Sequence, residues 1–140
     1  MKVLFDTNIL LDVLLEREPY IGVASKLFSL VDNGRIQGSI CATAVTTTYY
    51  MTAKGLGAKR AHHQIRTLLG MFEVAPVDGG VLQRALDGSF KDFEDAVVHE
   101  AAYAVGAAAI VTRDSSDFDK ATIPVFEPHE LLAAIASRKD

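Results

Sequence analysis

Three aspartates far apart in the chain, Asp6, Asp95 and Asp114, each stand where an apolar run gives way to a polar turn or a helix start. Asp6 closes the run Val3-Leu4-Phe5 and opens Asp6-Thr7-Asn8. Asp95 lies in Phe90-Lys91-Asp92-Phe93-Glu94-Asp95-Ala96. Asp114 follows Ala109-Ile110-Val111 through Thr112-Arg113, with Asp117 three residues on. A short apolar run ending in an acid reads as a buried strand with a carboxylate at its C-terminal edge. Open α/β sheets bind ligands outside that edge, and a carboxylate there can hold a hard cation beside a phosphate. Carboxylates held close repel one another unless a cation or protons neutralise them. Oxygen ligands with few histidines favour Mg²⁺ or Mn²⁺ over zinc, and such an ion activates water and stabilises a phosphodiester in transit.

Each cluster also has a purely structural reading. Asp, Thr and Asn all cap helices, and Leu10, Leu11, Leu14 and Leu15 give an apolar stripe beyond Asn8. Asp92 and Glu94 suit a first helical turn, where acids oppose the dipole. Asp92 and Asp95 share a helix face at i, i+3 spacing. Asp95 differs, because its neighbours Val98 and His99 place it on the inward face. A carboxylate there needs a partner, a metal or a raised pKa. Asp114 to Asp117 reads equally as a capped turn, with Asp117 able to bind metal or orient Asp114. The convergence of three acids on one sheet edge is what favours a site.

The elements that must position them follow from periodicity. Strands are expected at 2–5, 37–41, 72–77, 108–112 and 125–126. Helices are expected at 8–16, 19–32, 43–54, 59–70, 81–86, 90–105 and 129–137. Strands alternating with helices predict an α/β fold whose mainly parallel sheet is covered on both faces.

The chain of 140 residues suits one domain, 1–140, with a full core. Its single cysteine, Cys41, excludes an internal disulfide framework and a multi-cysteine zinc site. No apolar run reaches the roughly 18 to 20 residues of a membrane span, and Asp6 interrupts the first apolar stretch, so no membrane segment or signal peptide is expected. A cytoplasmic location fits. The formal charge of −4 is unevenly spread: no acid occurs between Asp32 and Glu73, an interval holding Arg35, Lys54, Lys59, Arg60, Arg66, His62 and His63. That asymmetry predicts a basic rim beside an acidic pocket; two solvated helix faces are the plainer alternative.

The ordered set Asp6-Thr7-Asn8, Phe93-Glu94-Asp95-Ala96 and Thr112-Arg113-Asp114 with Asp117-Phe118 resembles the PIN domain family, most of all its VapC-like toxin ribonucleases. Ile123-Pro124-Val125 through Pro128-His129-Glu130-Leu131-Leu132 adds to the likeness, which spans nearly the whole chain. The resemblance implies a three-layer α/β/α sandwich and a metal-dependent endoribonuclease. It implies that Asp6, Asp95 and Asp114 hold Mg²⁺ or Mn²⁺ and its water, that Asn8 orients Asp6, and that Asp117 lends a further carboxylate. It also implies a homodimer and a small antitoxin whose tail covers the site. The family commonly carries a glutamate in the helix after the second strand. Thr47 stands at that place, and a hydroxyl is a poorer ligand, with Asp92 or Asp117 available to compensate.

Thr47 therefore supports a second expectation, a PIN-fold RNA-binding module with little or no catalysis, which the three retained aspartates oppose. Asn8 argues against an aspartyl-phosphate phosphatase, which needs an acid at that position. A receiver domain lacks its acidic pair and its strand-end lysine. Among other residues, Arg113 is placed to clamp phosphate or to balance Asp114, His99 to meet a metal-bound carboxylate or fill the core, and Tyr49 and Tyr50 to stack on a base or pack.

Overall fold

The computed structural model describes residues 1–138, so the last two positions of the expected 1–140 domain lie outside the described residues. Strand β1 (Lys2–Phe5) leads into helices α1 (Thr7–Leu14) and α2 (Ile21–Asp32). Strand β2 (Gln37–Cys41) is followed by α3 (Ala42–Leu56) and α4 (Ala58–Met71). Then come β3 (Glu73–Ala75), α5 (Gly79–Asp87), α6 (Phe93–Ala104) and β4 (Ala109–Val111). A 3₁₀ turn (Ser115–Phe118), β5 (Val125–Phe126) and α7 (Pro128–Ala136) complete the described chain.

The five strands lie in the order β3-β2-β1-β4-β5, every neighbouring pair parallel. The chain builds outward from β1 to β3, then returns to lay β4 on the other side of β1. The order thus reverses between β1 and β4, and such a switch point opens a crevice at the strands' carboxyl ends. Phe5 is in register with Val111, so the residues following them, Asp6 and Thr112, emerge side by side.

Alternation along each strand splits the interior into two cores. Val3, Phe5, Ile40 and Val111 join Ile9, Leu27, Ile65 and Leu131 on one face, while Leu4 and Ile110 join Ala96, Val97 and Ala101 on the other. Helices therefore cover both faces of the sheet. On the first face Phe5, Phe28 and Phe72 meet edge to face, with ring centroids 5.1 Å apart for Phe5 and Phe72. Gly38 in β2 makes room for this cluster, since a Cβ there would sit 2.6 Å from the Phe72 ring.

Strands β1, β2 and β5 fall at the expected residues, β3 and β4 are shorter than expected at both ends, and most helix boundaries shift by one to three residues. Helix α6 begins at Phe93, not Phe90, because Asp92 takes extended backbone and caps it, accepting the Asp95 N–H at 3.0 Å. Asp92 is therefore not on a helix face with Asp95. Helix α3 runs through Gly55 and ends at Gly57, whose φ of +90° suits glycine. Pro19 precedes α2 in a turn instead of opening the helix. Helix α7 opens with Pro128 inside a capping box formed by Glu127 and Glu130.

Candidate active site

An open cleft of about 310 Å³ lies at the switch point, lined by Asp6, Asn8, Asp95 and Asp114, with Thr47 on the wall from α3 and Glu94 beside Asp95. The folded chain thus brings to one place the three aspartates singled out in the sequence.

One hydroxyl organises the sheet side of this cleft. Thr112, fully buried, donates from Oγ1 to Asp6 Oδ2 at 2.8 Å. The same oxygen accepts from Asn8 Nδ2 at 3.2 Å and from the Asp114 N–H at 3.0 Å. Its one proton and both lone pairs are therefore used. Asp6 also caps α1, its Oδ1 accepting the Thr7 N–H at 2.8 Å. Asn8 Nδ2 lies 3.2 Å from Asp114 Oδ2, and Asn8 Oδ1 accepts the Arg113 N–H. Asn8 thus contacts Asp114 directly and reaches Asp6 only through Thr112, a different arrangement from the expected orientation of Asp6 itself.

Helix α6 forms the opposite wall. Burial raises the pKa of Asp95 to about 7, helped by the negative charges of Asp92, Asp6, Asp117 and Glu94. Burial also raises Asp6, against the pull of its bonds to Thr112 and Thr7, with Asp114 and Asp117 adding repulsion. Asp117 lies on the 3₁₀ turn and acts on both acids through its charge, outside the cleft lining. Thr47 spends its proton on the Thr43 carbonyl, 3.2 Å away within its own helix.

Arg113 lies outside the cleft lining and spends its hydrogen bonds on Asp12, with Asp114 acting on it only through its charge. Its Nε and Nη2 grip the buried Asp12 at 2.7 and 3.2 Å, and its guanidinium lies 3.8 Å from the centre of the Tyr20 ring. The sequence pointed to the nearer acid, because Asp12 looks like a surface residue of an amphipathic helix. His99 is buried too, its Nε2 accepting the Thr122 N–H at 3.0 Å and its pKa lowered by burial, which makes it a structural tie. Tyr49 packs against the core, whereas Tyr50 is 70% exposed. His62 and His63 are exposed on α4. Two further charged residues line the cleft: Glu94, whose sequence position suits a helix-dipole acid, and Arg17, hidden in the mixed-charge stretch Glu16-Arg17-Glu18.

The donor set suits a hard divalent cation. The lining offers carboxylate, amide and hydroxyl oxygens and contains neither cysteine nor histidine. Among the described residues, no three His, Cys, Asp or Glu side chains are grouped as they would be round an ion.

The profile of the PIN domain matches residues 2–116, so the chain belongs to the PIN domain family. No curated protein sequence matches it. Its fold is shared with several solved structures. A toxin–antitoxin complex from Klebsiella pneumoniae is 24% identical, with a TM-score of 0.68 over 91% of this chain and 98% of that one. VapBC2 from Rickettsia felis, solved on a DNA fragment from its promoter, is 15% identical with a TM-score of 0.67 over 91% and 98%. VapC20 from Mycobacterium tuberculosis, a toxin that cleaves the sarcin–ricin loop, is 15% identical with a TM-score of 0.66 over 84% and 95%.

Proposed function

We propose that this PIN domain is a Mg²⁺- or Mn²⁺-dependent endoribonuclease and the toxin of a toxin–antitoxin pair. The observation that carries the proposal is the pairing across one cleft of two kinds of acid. Asp6 and Asp114 are held by a shared threonine, and Asp95 faces them with its pKa lifted to about 7. Acids so placed favour a cation as their neutralising partner.

In this reading Asp6, Asp95 and Asp114 hold the ion. When bound, it supplies a polarised water and offsets the charge that builds on a phosphodiester during hydrolysis. The chain's own residues do the rest. Thr112 and the Thr7 N–H fix both oxygens of Asp6. Asn8 fixes Asp114. Asp117 adds negative charge from behind, strengthening the pull on a cation. Asp92 sets where α6 starts and so where Asp95 points.

The partners are RNA, an antitoxin protein and a second copy of the chain. The antitoxin is supported by the company of the structural neighbours, the Klebsiella and Rickettsia proteins being solved as toxin–antitoxin assemblies. No described helix is long and apolar enough to cross a membrane, and we place the protein in the cytoplasm.

A second reading, an RNA-binding module with weak or no catalysis, is favoured by one observation: Thr47 brings a hydroxyl, not a carboxylate, to the α3 wall. Incubation with RNA and Mn²⁺ separates the two. Cleavage is expected from the parent protein. Chelator should abolish it, and Asp6→Asn should reduce it by about a hundredfold or more, the scale of losing one charge-stabilising group. Equal cleavage by the variant would mark a contaminant and remove the catalytic claim. Binding without cleavage would establish the second reading.

A further inference from the structure

Four acids line the cleft, and among the described residues one cation lines it with them, Arg17. Its backbone is fixed in the turn between α1 and α2. The Arg17 N–H donates to the Asp12 carbonyl at 2.9 Å, and its own carbonyl accepts the Tyr20 and Ile21 N–H groups at 3.0 and 2.8 Å. Arg113 pins the Asp12 side chain, so this turn is tied to the segment that follows β4.

The side chain is another matter. The Arg17 guanidinium makes no hydrogen bond or ion pair with any described residue. Arg113, close to the same site, has two bonds to Asp12 and an aromatic ring beneath it. One arginine is thus consumed by the fold, and the other is partly buried in the cleft with its donors open. A planar fork of donors is matched by the paired oxygens of a phosphate. A polyanion entering a cleft of four carboxylates also needs a countercharge from the protein itself, beyond that of the ion.

We propose that Arg17 is a substrate-binding residue of this cleft and takes a backbone phosphate of the RNA strand. This rests on the ribonuclease reading above. The test uses a labelled RNA oligonucleotide and fluorescence anisotropy across a range of KCl concentrations. Asp6→Asn, which keeps the oligonucleotide intact, is compared with Asp6→Asn carrying Arg17→Ala, Arg17→Gln or Arg17→Lys. Steady-state cleavage in Mn²⁺ is measured for the same Arg17 variants with Asp6 retained.

Arg17→Ala and Arg17→Gln should each weaken binding about tenfold, the scale of a lost charge-assisted bond. The slope of log K against log salt should flatten by about 0.7 for one single-strand phosphate contact. Arg17→Lys should keep the slope and recover part of the affinity, because charge remains while the fork is lost. In cleavage, KM should rise more than kcat falls. Unchanged affinity and slope, with cleavage intact, would overturn the role of Arg17 and leave the ribonuclease reading standing. A parent protein that neither binds nor cuts RNA would overturn both. Circular dichroism separates a binding defect from misfolding, and Arg17→Gln decides the matter should the alanine variant unfold.

Discussion

The two walls of the cleft are built on different terms. On the sheet side, Asp6, Asn8 and Asp114 are locked by bonds of 2.8 to 3.2 Å that converge on the Thr112 hydroxyl. On the helix side, the Asp95 carboxylate makes no hydrogen bond with a described residue and is governed by burial and by like charges. Geometry is specified on one wall and electrostatic demand on the other. A rigid acceptor pair facing an acid in need of neutralisation is a useful division for a site that must capture an ion and still admit a substrate. Rigid walls position ligands, and unsatisfied charge attracts them.

The sheet wall can be broken from behind. Arg113→Ala leaves Asp12 buried and unpaired, and we expect a loss of roughly 2–3 kcal/mol in urea unfolding, the low end for a broken buried pair because the guanidinium is 25% exposed. The double variant Asp12→Leu, Arg113→Met should recover much of it. A single variant as stable as the parent would show that Asp12 finds water or another partner. Thr112→Val attacks the hub itself. It strands acceptors and donors of three residues, and we expect about 1–2 kcal/mol lost, with Thr112→Ser close to the parent. Equal unfolding midpoints for the valine and parent proteins would mean that the hub contributes shape alone.

The helix wall is broken by pH. Asp95 has a raised folded-state pKa, so folding takes up a proton between its ordinary value of 3.8 and about 7. This contribution to stability is full at low pH and is lost as pH rises through that window. Asp6, also raised, adds to the same trend. His99 opposes it, since its lowered pKa makes stability rise toward neutrality. The informative quantity is therefore the difference between parent and Asp95→Asn, measured in chelator by denaturant unfolding at several pH values. That difference should shift in favour of the variant as pH climbs from 4 to 7. A difference independent of pH would show that Asp95 is not under strain, and the contrast between the walls would dissolve.

The sheet wall was the more legible of the two from sequence. Val3-Leu4-Phe5 before Asp6 and Ala109-Ile110-Val111 before Asp114 are strong strand signals, and parallel strands deliver their following residues to one edge. What joins those residues was not legible. Thr112 looks like any strand-end threonine, and only the register of β1 with β4 makes it the contact between two acids. The direction of Arg113 was unreadable for a similar reason: its partner Asp12 comes from a helix 101 residues earlier. The helix spacing of Asp95 to Val98 and His99 marks it as an inward acid, in keeping with its raised pKa. The start of α6 is not legible because Phe90 suits a helix as well as Phe93 does, and the cap at Asp92 decides between them. Arg17 had no signal at all, because a loop residue's direction is set by the turn that carries it.

The Thr112 OH group fastens the stretch after β1 to the stretch after β4, and the Asn8 and Arg113 bonds across the same seam reinforce it. A shift of either stretch should therefore be passed to the other. Whatever loads one of the two acids should be felt at its twin, because both hang on the same oxygen.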